Sequence, residues 1–303
     1  MKETQKGYLL CLFGVFTWSF SEIIGEYLQG RVGAVSLSFL RFFLAGFFLI
    51  FLLGVQHDFE ELKTMSKKYF LIILLASMVG LGISNVLYFL GIHFELTQAN
   101  VASALYTTYP IFATLYAILV LHERKNILLK TIGFIIGFTG TTILVTDFQF
   151  LLVLTPEYFF GNLLLVSAAA MFGIHSVVGK KIFSSEDKIS NIEIKYNLIT
   201  SFLACIPVFL ILIFIPEEFG VLFQYTSVEW VLILFLGFIS TAFGLFIFFK
   251  GIKKIEVSQG ISLALLKPIL ATIFAFLILG ELPTFALIVA IILVSIGVLL
   301  INR

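Results

Sequence analysis

Apolar runs of 19 to 25 residues recur along the whole chain, and they constrain its fold more than any other feature. Each is long enough to cross a ~30 Å hydrocarbon layer as an α-helix. Soluble proteins carry about 25% charged residues, whereas this chain has 12% and is 60% hydrophobic. We therefore predict an all-α integral membrane protein with ten transmembrane helices. The predicted spans are 8–28, 33–55, 69–92, 97–121, 127–145, 159–183, 192–215, 227–249, 257–279 and 283–301.

Lysine and arginine residues are distributed unevenly between the two sides of these spans. Sixteen of the 19 lie on the side of the N-terminus, and Arg31 alone lies on the opposite side. Cytoplasmic loops carry the excess of Lys and Arg in membrane proteins. Both termini are therefore predicted to be cytoplasmic, in a multi-pass protein of the cell membrane. The net charge of +1, without any long basic cluster, argues against a nucleic-acid partner.

The two halves of the chain contain a repeated segment. Residues 110–123 and 268–281 match at eight of fourteen positions with a constant offset of 158, including the first Pro and the last Glu. We predict two five-helix repeats, 1–148 and 149–303. An odd number of spans per repeat gives the halves opposite orientations in the membrane, which is typical of transporters with a site near the bilayer midplane.

These features together resemble a known family. Ten spans in two halves, the paired Pro…Glu helices and Trp18-Ser19 in the first span are similar to the drug/metabolite transporter superfamily, EamA branch. The resemblance covers nearly the whole chain and implies a cytoplasmic-membrane permease, often an exporter of amino acids or related metabolites. It does not define the substrate, because other branches carry nucleotide sugars, sugar phosphates or cationic drugs. The second half departs from the pattern with Phe172 where Trp18 would align.

Span 1 carries a polar stripe that includes Trp18 and Glu22, at a spacing of four residues. Arg41 on span 2 is predicted at nearly the depth of Glu22. Charges inside a membrane require a reason, because even on the most lenient scale each costs about 2.5–3.5 kcal/mol. Two interpretations are equally open. Glu22 and Arg41 neutralise each other, or Glu22 binds a proton or a substrate amine while Arg41 tunes it or meets a carboxylate.

Lys267 lies at the midpoint of span 9, immediately before the helix-disrupting Pro268. From this depth its side chain is too short to reach bulk water. It therefore needs a water-filled cavity or a partner such as Glu22. We predict that Lys267 faces a central cavity and contacts an anionic group of the substrate. Tyr109, before Pro110, is its counterpart in the first half and is predicted to line the same cavity.

Other polar residues inside the predicted spans are weaker candidates for the site. Asn85 and Tyr88 on span 3 and His175 on span 6 are as consistent with interhelical hydrogen bonding as with ligand contact. His175 aligns with Ser21 and is also a candidate second proton site. Glu123 ends its helix, and its carboxylate is expected to bond the start of the following span.

The function that these observations favour is secondary transport of a small metabolite, an amino acid or a related compound. Export by alternating access is the expected mode, with proton coupling as an option. Export of cationic drugs or amines is the alternative within the same class. An intramembrane enzyme lacks support, because the four histidines and three aspartates show no metal-ligand or catalytic spacing. A channel is disfavoured by single, asymmetric charges. No cofactor is predicted, and the protein is expected to be a monomer or a homodimer.

Overall fold

The computed structural model describes residues 2–28, 30–93, 105–150, 159–186, 189–279 and 284–303. Within these ranges the chain is helical and contains no β-strand. The helices are α1 (Glu3–Leu28), α2 (Ala34–Val55), α3 (Leu62–Lys68), α4 (Phe70–Ser77), α5 (Ser84–His93), α6 (Tyr109–Val120), α7 (Ile127–Thr146), α8 (Phe159–Ser185), α9 (Ile192–Leu212), α10 (Pro216–Phe219), α11 (Ser227–Phe235), α12 (Gly244–Ile252), α13 (Val257–Ser262), α14 (Lys267–Leu279) and α15 (Phe285–Ile301).

Three of the long segments change helix type in the middle. A π-helical segment, Met78–Ile83, joins α4 to α5, and a second one, Leu236–Phe243, joins α11 to α12. A 3₁₀ turn, Leu263–Leu266, joins α13 to α14, where Lys267 and Pro268 begin the next α-helical segment. The disruption predicted at Pro268 is therefore a change of helix type just before the proline.

Among the described residues, eight helical segments are long and apolar enough to cross a membrane. Two further apolar helices, α6 and α15, are shorter, with 12 and 17 residues. Part of the predicted span 97–121 lies outside the described residues. The eight segments are Glu3–Gly25, Ala34–Val55, Phe70–Tyr88, Ile127–Thr146, Phe159–Ser185, Ile192–Leu212, Ser227–Ile252 and Val257–Phe274.

Large apolar side chains cover the outside of this bundle. Leu71, Leu128 and Phe214 have 75%, 73% and 83% of their surface exposed. Water-soluble monomers do not display continuous apolar surface of this kind, whereas a helix in lipid is apolar on the face that meets the acyl chains. The exposed side chains and the apolar helices together make the chain a multi-pass membrane protein.

Contacts between helices occur in matched pairs. In each pair, the helices that come from the first and second halves of the chain trade places. Helix α2 packs on α9, and α7 packs on α15. The contact of α1 with α12 has its counterpart in α8 with α5, and that of α1 with α14 in α8 with α6. The first π-helical segment packs on α9, and the second packs on α2. The interior of the bundle therefore lies between the two halves.

Glycines allow α7 and α15 to approach closely. A Cβ atom added to Gly297 would lie 2.5 Å from the carbonyl oxygen of Gly133 and 2.8 Å from the backbone nitrogen of Gly137. Both neighbours are backbone atoms that cannot move aside easily. Gly133 and Gly137 of α7 and Gly297 of α15 thus form a small-residue interface between the two helices.

Replacing Gly297 with alanine is expected to destabilise the folded protein by about 1–3 kcal/mol, because the methyl group overpacks this interface. Thermal unfolding of the detergent-purified protein measures the effect. Gly54→Ala is the matched control, since its added Cβ would meet only ordinary contacts at 3.9 Å. Equal melting temperatures for the two variants would contradict the close-packed interface.

Candidate functional site

The candidate site is built around Arg41, which lies about 10 Å along α2 from the helix start. Its guanidinium donates a hydrogen bond from Nε to Oγ1 of Thr241, at 3.0 Å. Arg41 belongs to the first half of the chain and Thr241 to the π-helical segment of the second half. The side chain of Arg41 is partly buried. A cation is therefore held inside the bundle between the two halves, away from either helix end.

Two tyrosines lie in the neighbourhood of this cation. Tyr88 and Tyr106 both lie near enough to Arg41 for their oxygens to interact with its charge. Their rings pack against each other with centroids 4.5 Å apart. Tyr106 also contacts the rings of Tyr109 and Phe172, at centroid distances of 5.8 and 5.9 Å. Two of the predicted residues, Tyr88 and Tyr109, thus belong to one ring cluster beside Arg41.

Trp18 contacts a neighbouring part of the same interior. Its ring lies 4.6 Å from that of Phe248 on α12, and it packs against the same apolar cluster as Tyr106 and Phe172. Phe172 is the residue that aligns with Trp18 in the repeat. The two halves therefore place an aromatic side chain from their first helix in the shared core.

Lys267 and Glu22 are the two remaining charged candidates for the site. Lys267 is the first residue of α14 and is partly buried. It follows Leu266, which packs against the same apolar cluster as Trp18. Glu22 is part of α1, but its side chain lies outside the described residues, so its predicted pairing with Arg41 or Lys267 stays a prediction. Its neighbour Ser21 contacts the Ser240 hydroxyl in the second π-helical segment.

Asn85 and His175 each contact residues of their own or a neighbouring helix. The Asn85 amide donates to the Leu81 carbonyl oxygen of its own helix, at 3.0 Å. His175 is fully buried, with its ring stacked on Tyr196 at 5.1 Å and its Nε2 3.3 Å from Thr200 Oγ1. These contacts favour a packing role for both residues, and their part in binding stays a prediction.

One end of the bundle is closed by polar contacts on the loop that connects α12 to α13, residues 253–256. The Lys180 ammonium donates to three carbonyl oxygens here, those of Ile252, Lys253 and Ile255, at 2.8–3.1 Å. Ile252 supplies one of the last carbonyls of α12, which a helix leaves without an intrahelical N–H partner, and Lys253 and Ile255 supply carbonyls of the loop. The loop is therefore fixed to α8.

Glu123 binds the other side of this loop. Its carboxylate accepts bonds from the backbone N–H groups of Val257 and Ser258, at 2.9 and 3.3 Å, and faces the Ser258 hydroxyl at 3.2 Å. The expectation that Glu123 bonds the start of the following span is wrong, because its carboxylate instead accepts bonds from the N–H groups that have no helical partner at the start of α13. A carboxylate at a helix N-terminus is stabilising.

Ion pairs complete this end of the bundle. Lys130, with 3% of its side chain exposed, pairs with Glu256 at 2.5 Å. Lys253 pairs with Glu193 at 3.2 Å, and Lys254 pairs with Glu3. These ion pairs lie at the lysine-rich end of the bundle, as do those of Lys68 with Glu186 and of Lys195 with Asp58. No group of three His, Cys, Asp or Glu side chains in the described ranges is arranged to hold a metal ion.

Two contributors to the site were missed in the sequence, Ser240 and Thr241. They lie in the middle of an apolar segment, where hydroxyls commonly bond only to their own helix. The signal that could have identified them is the repeat: the offset of 158 aligns them with Gly82 and Ile83. The first π-helical segment therefore has no hydroxyl at these two positions.

Comparisons with known proteins show the family to which this chain is similar over nearly its whole length. The model of the EamA-like transporter family matches the chain twice, over residues 5–146 and 159–303. An uncharacterized transporter of Bacillus subtilis, YoaV, is 27% identical over 86% of this chain and 84% of its own. An S-adenosylmethionine uptake transporter of Rickettsia prowazekii is 24% identical over 93% and 89% of the two chains.

Similarity extends to a further relative and to a solved structure. An uncharacterized transporter of Clostridium kluyveri is 24% identical over 97% of this chain and 92% of its own. A crystal structure superimposes with a TM-score of 0.74 over 98% of this chain and 96% of that chain, at 18% identity, which shows a shared fold. The family match covers nearly all of the sequence, and the relatives are transporters and not enzymes. The chain belongs to the EamA-like transporter family.

Proposed function

We propose that the protein is a ten-helix permease of the cell membrane in which two inverted five-helix halves, 1–148 and 149–303, work by alternating access. The double match of the family model and the exchanged helix contacts support this architecture. In inverted-repeat transporters the halves enclose a site near the midplane and rock against each other. The cytoplasmic location of both termini is part of the proposal and rests on the sixteen basic residues of one side.

The observation that carries the proposal is the position of Arg41. It lies inside the bundle, bonded to the opposite half through Thr241 and flanked by Tyr88 and Tyr106. A partly buried guanidinium is costly in a membrane unless it has a function or a full set of partners. Arginine binds carboxylates through two parallel N–H···O bonds. This site therefore suits a substrate with a carboxylate.

The proposed substrate class is amino acids and their derivatives. The aromatic rings beside Arg41 present faces that attract a substituted ammonium or sulfonium cation, and Glu22 is the proposed partner of an amine. The Rickettsia relative is named for S-adenosylmethionine uptake, and that compound carries an amino-acid end. Export is the proposed direction, as the family resemblance implies, and proton coupling through Glu22 is the proposed energy source. Amines or cationic drugs are the alternative substrates.

Counterflow in proteoliposomes tests the proposal. Vesicles loaded with an unlabelled solute are assayed for uptake of the labelled one, using amino acids, S-adenosylmethionine, amines and sugar phosphates in separate arms. Exchange of the amino-acid group is expected. Repeating the assay with net influx and net efflux at two pH gradients measures direction and coupling. If no solute exchanges, the transporter proposal fails.

Replacing Lys267 with alanine is expected to raise the half-saturation concentration for the exchanged amino acid about tenfold, because the proposed cation for an anionic group is lost. Lys250→Ala is the matched control, since Lys250 is exposed at the end of α12. The counterflow assay above measures both variants. Unchanged affinity in Lys267→Ala would remove Lys267 from the site.

A further inference from the structure

The two π-helical segments are equivalent in the repeat but differ in chemistry. They begin at Met78 and Leu236, which are 158 residues apart, the same offset as in the Pro…Glu segments. Where the second segment has Ser240 and Thr241, the first has Gly82 and Ile83. The π-helical geometry therefore forms without hydroxyl groups at these positions. Their presence in the second half needs a reason other than backbone shape.

The hydroxyl of Thr241 has a fixed orientation. It donates its single hydrogen to the carbonyl oxygen of Leu236, five residues earlier, at 2.7 Å. An oxygen lone pair is then directed to accept the hydrogen bond from Nε of Arg41, at 3.0 Å. Thr241 is buried, with 2% of its surface exposed. The π-turn supplies the acceptor for Thr241, and Thr241 supplies an acceptor for Arg41.

This arrangement determines which edge of the guanidinium is used. A guanidinium has five N–H donors in one plane. The hydrogen bond from Nε to Thr241 fixes one corner of the guanidinium plane. The four hydrogens on the two Nη atoms are the donors that remain for other acceptors. Two of them form the flat edge that matches the two oxygens of a carboxylate. Tyr88 and Tyr106 are the neighbours of Arg41 from the first half.

We propose that Thr241 is a positioning residue that holds Arg41 for two-point binding of the substrate carboxylate, so that the transporter selects acids over their amides. The inference rests on the proposed function and adds to it a specificity element that only the second half contains. Ser240, which contacts Ser21 of α1, anchors the same π-turn to the neighbouring helix. Thr241 does not contact the substrate in this proposal and acts through Arg41.

The experiment compares Thr241→Val, which removes the hydroxyl at almost constant volume, with Thr241→Ser, which keeps it. Ile83→Val at the equivalent position of the first half is the matched control. Counterflow is measured with the amino acid that the wild type exchanges fastest, and its carboxamide is the competitor. We expect Thr241→Val to raise the KM for the acid about tenfold with little change in Vmax. Its preference for acid over amide should fall similarly.

The other variants separate positioning from folding. Thr241→Ser and Ile83→Val should keep both the KM and the acid preference of the wild type. In an Arg41→Gln background, Thr241→Val should have no further effect on KM, because the residue it positions is absent. Equal KM and equal acid preference in a folded Thr241→Val protein would overturn the inference. So would equal effects of Thr241→Val and Ile83→Val, since these would indicate packing only.

Failure of the inference is distinguishable from failure of the proposed function. If the wild type exchanges only solutes without a carboxylate, such as amines, the permease proposal stands and the carboxylate inference is wrong. If no solute is exchanged, both fail. If acids are exchanged and Thr241→Val loses the preference for acid over amide, both are supported.

Discussion

Replacing Arg41 with glutamine is expected to lower transport efficiency, measured as Vmax/KM in counterflow, by at least about thirtyfold. Truncating one member of a buried, hydrogen-bonded charge pair costs about 2–5 kcal/mol, and about 1.4 kcal/mol corresponds to each factor of ten. The bound carboxylate would lose its two-point partner, while the amide keeps a similar size and some hydrogen bonding. Arg41→Lys should fall in between, because it retains the charge without the planar fork.

Two controls make this result specific. Arg31→Gln changes an exposed arginine just after α1, where its side chain contacts the Tyr27 hydroxyl. This variant should leave transport unchanged. The second control is Glu22→Gln combined with Arg41→Gln. If this double variant regains wild-type efficiency, Arg41 serves to neutralise Glu22 and does not bind substrate. An Arg41→Gln protein that keeps more than half of the wild-type efficiency would also contradict the site.

Replacing Asp58 with asparagine is expected to destabilise the folded protein by about 3–5 kcal/mol. Asp58 lies after α2 and pairs with Lys195 at 2.8 Å. The Lys195 side chain has none of its surface exposed, so the substitution leaves a buried ammonium without its nearest partner. Glu61, at 3.9 Å, is a weaker substitute. The loss is measured as a shift of the thermal or denaturant midpoint in detergent.

The partner residue gives an internal test of this prediction. Lys195→Met removes the buried charge, so the double variant Asp58→Asn/Lys195→Met should be more stable than Asp58→Asn alone. Asp147→Asn is the control, because Asp147 is exposed. Equal stability of Asp58→Asn and Asp147→Asn would show that the pair contributes nothing.

The same contact predicts a pH dependence. The hydrogen bond from Lys195, with those from Asn191 and Ser190, lowers the pKa of Asp58 from its usual 3.8. A carboxyl whose pKa is lowered by folding adds stability that is fully present above the unfolded-state pKa. This contribution disappears as the pH falls through the folded-state pKa. The wild type should therefore lose more stability on acidification below pH 4 than the Asp58→Asn variant.

The sequence predicted the membrane class and most helix positions well, because long apolar runs report burial in lipid directly. Segments such as Ala34–Val55 and Phe159–Ser185 are within two residues of their predicted bounds. The helix-type changes at Met78 and Leu236 were not predicted. A π-turn inserts a single residue into a helix, and it leaves no signal in the hydropathy of the segment.

The site was predicted only in part. Arg41 was identified because an intramembrane charge is rare, and Tyr88 and Tyr109 were identified as polar groups on apolar helices. Thr241 was missed because its partner Arg41 is 200 residues away, a separation over which local pattern carries no information. The partners of Glu123 are 134 and 135 residues away, which explains why its neighbour in sequence was a poor guide.

The loop between α12 and α13 imposes a condition on how its end of the bundle can open. It and the residues that flank it are held by Glu123 and by side chains of four different helices, Glu3, Lys130, Lys180 and Glu193. Releasing one of these contacts leaves the other four in place, so separating the loop from all five residues requires the loss of all five contacts. Opening at this end therefore carries the combined cost of all five contacts, and each of them contributes to the free energy that opening requires.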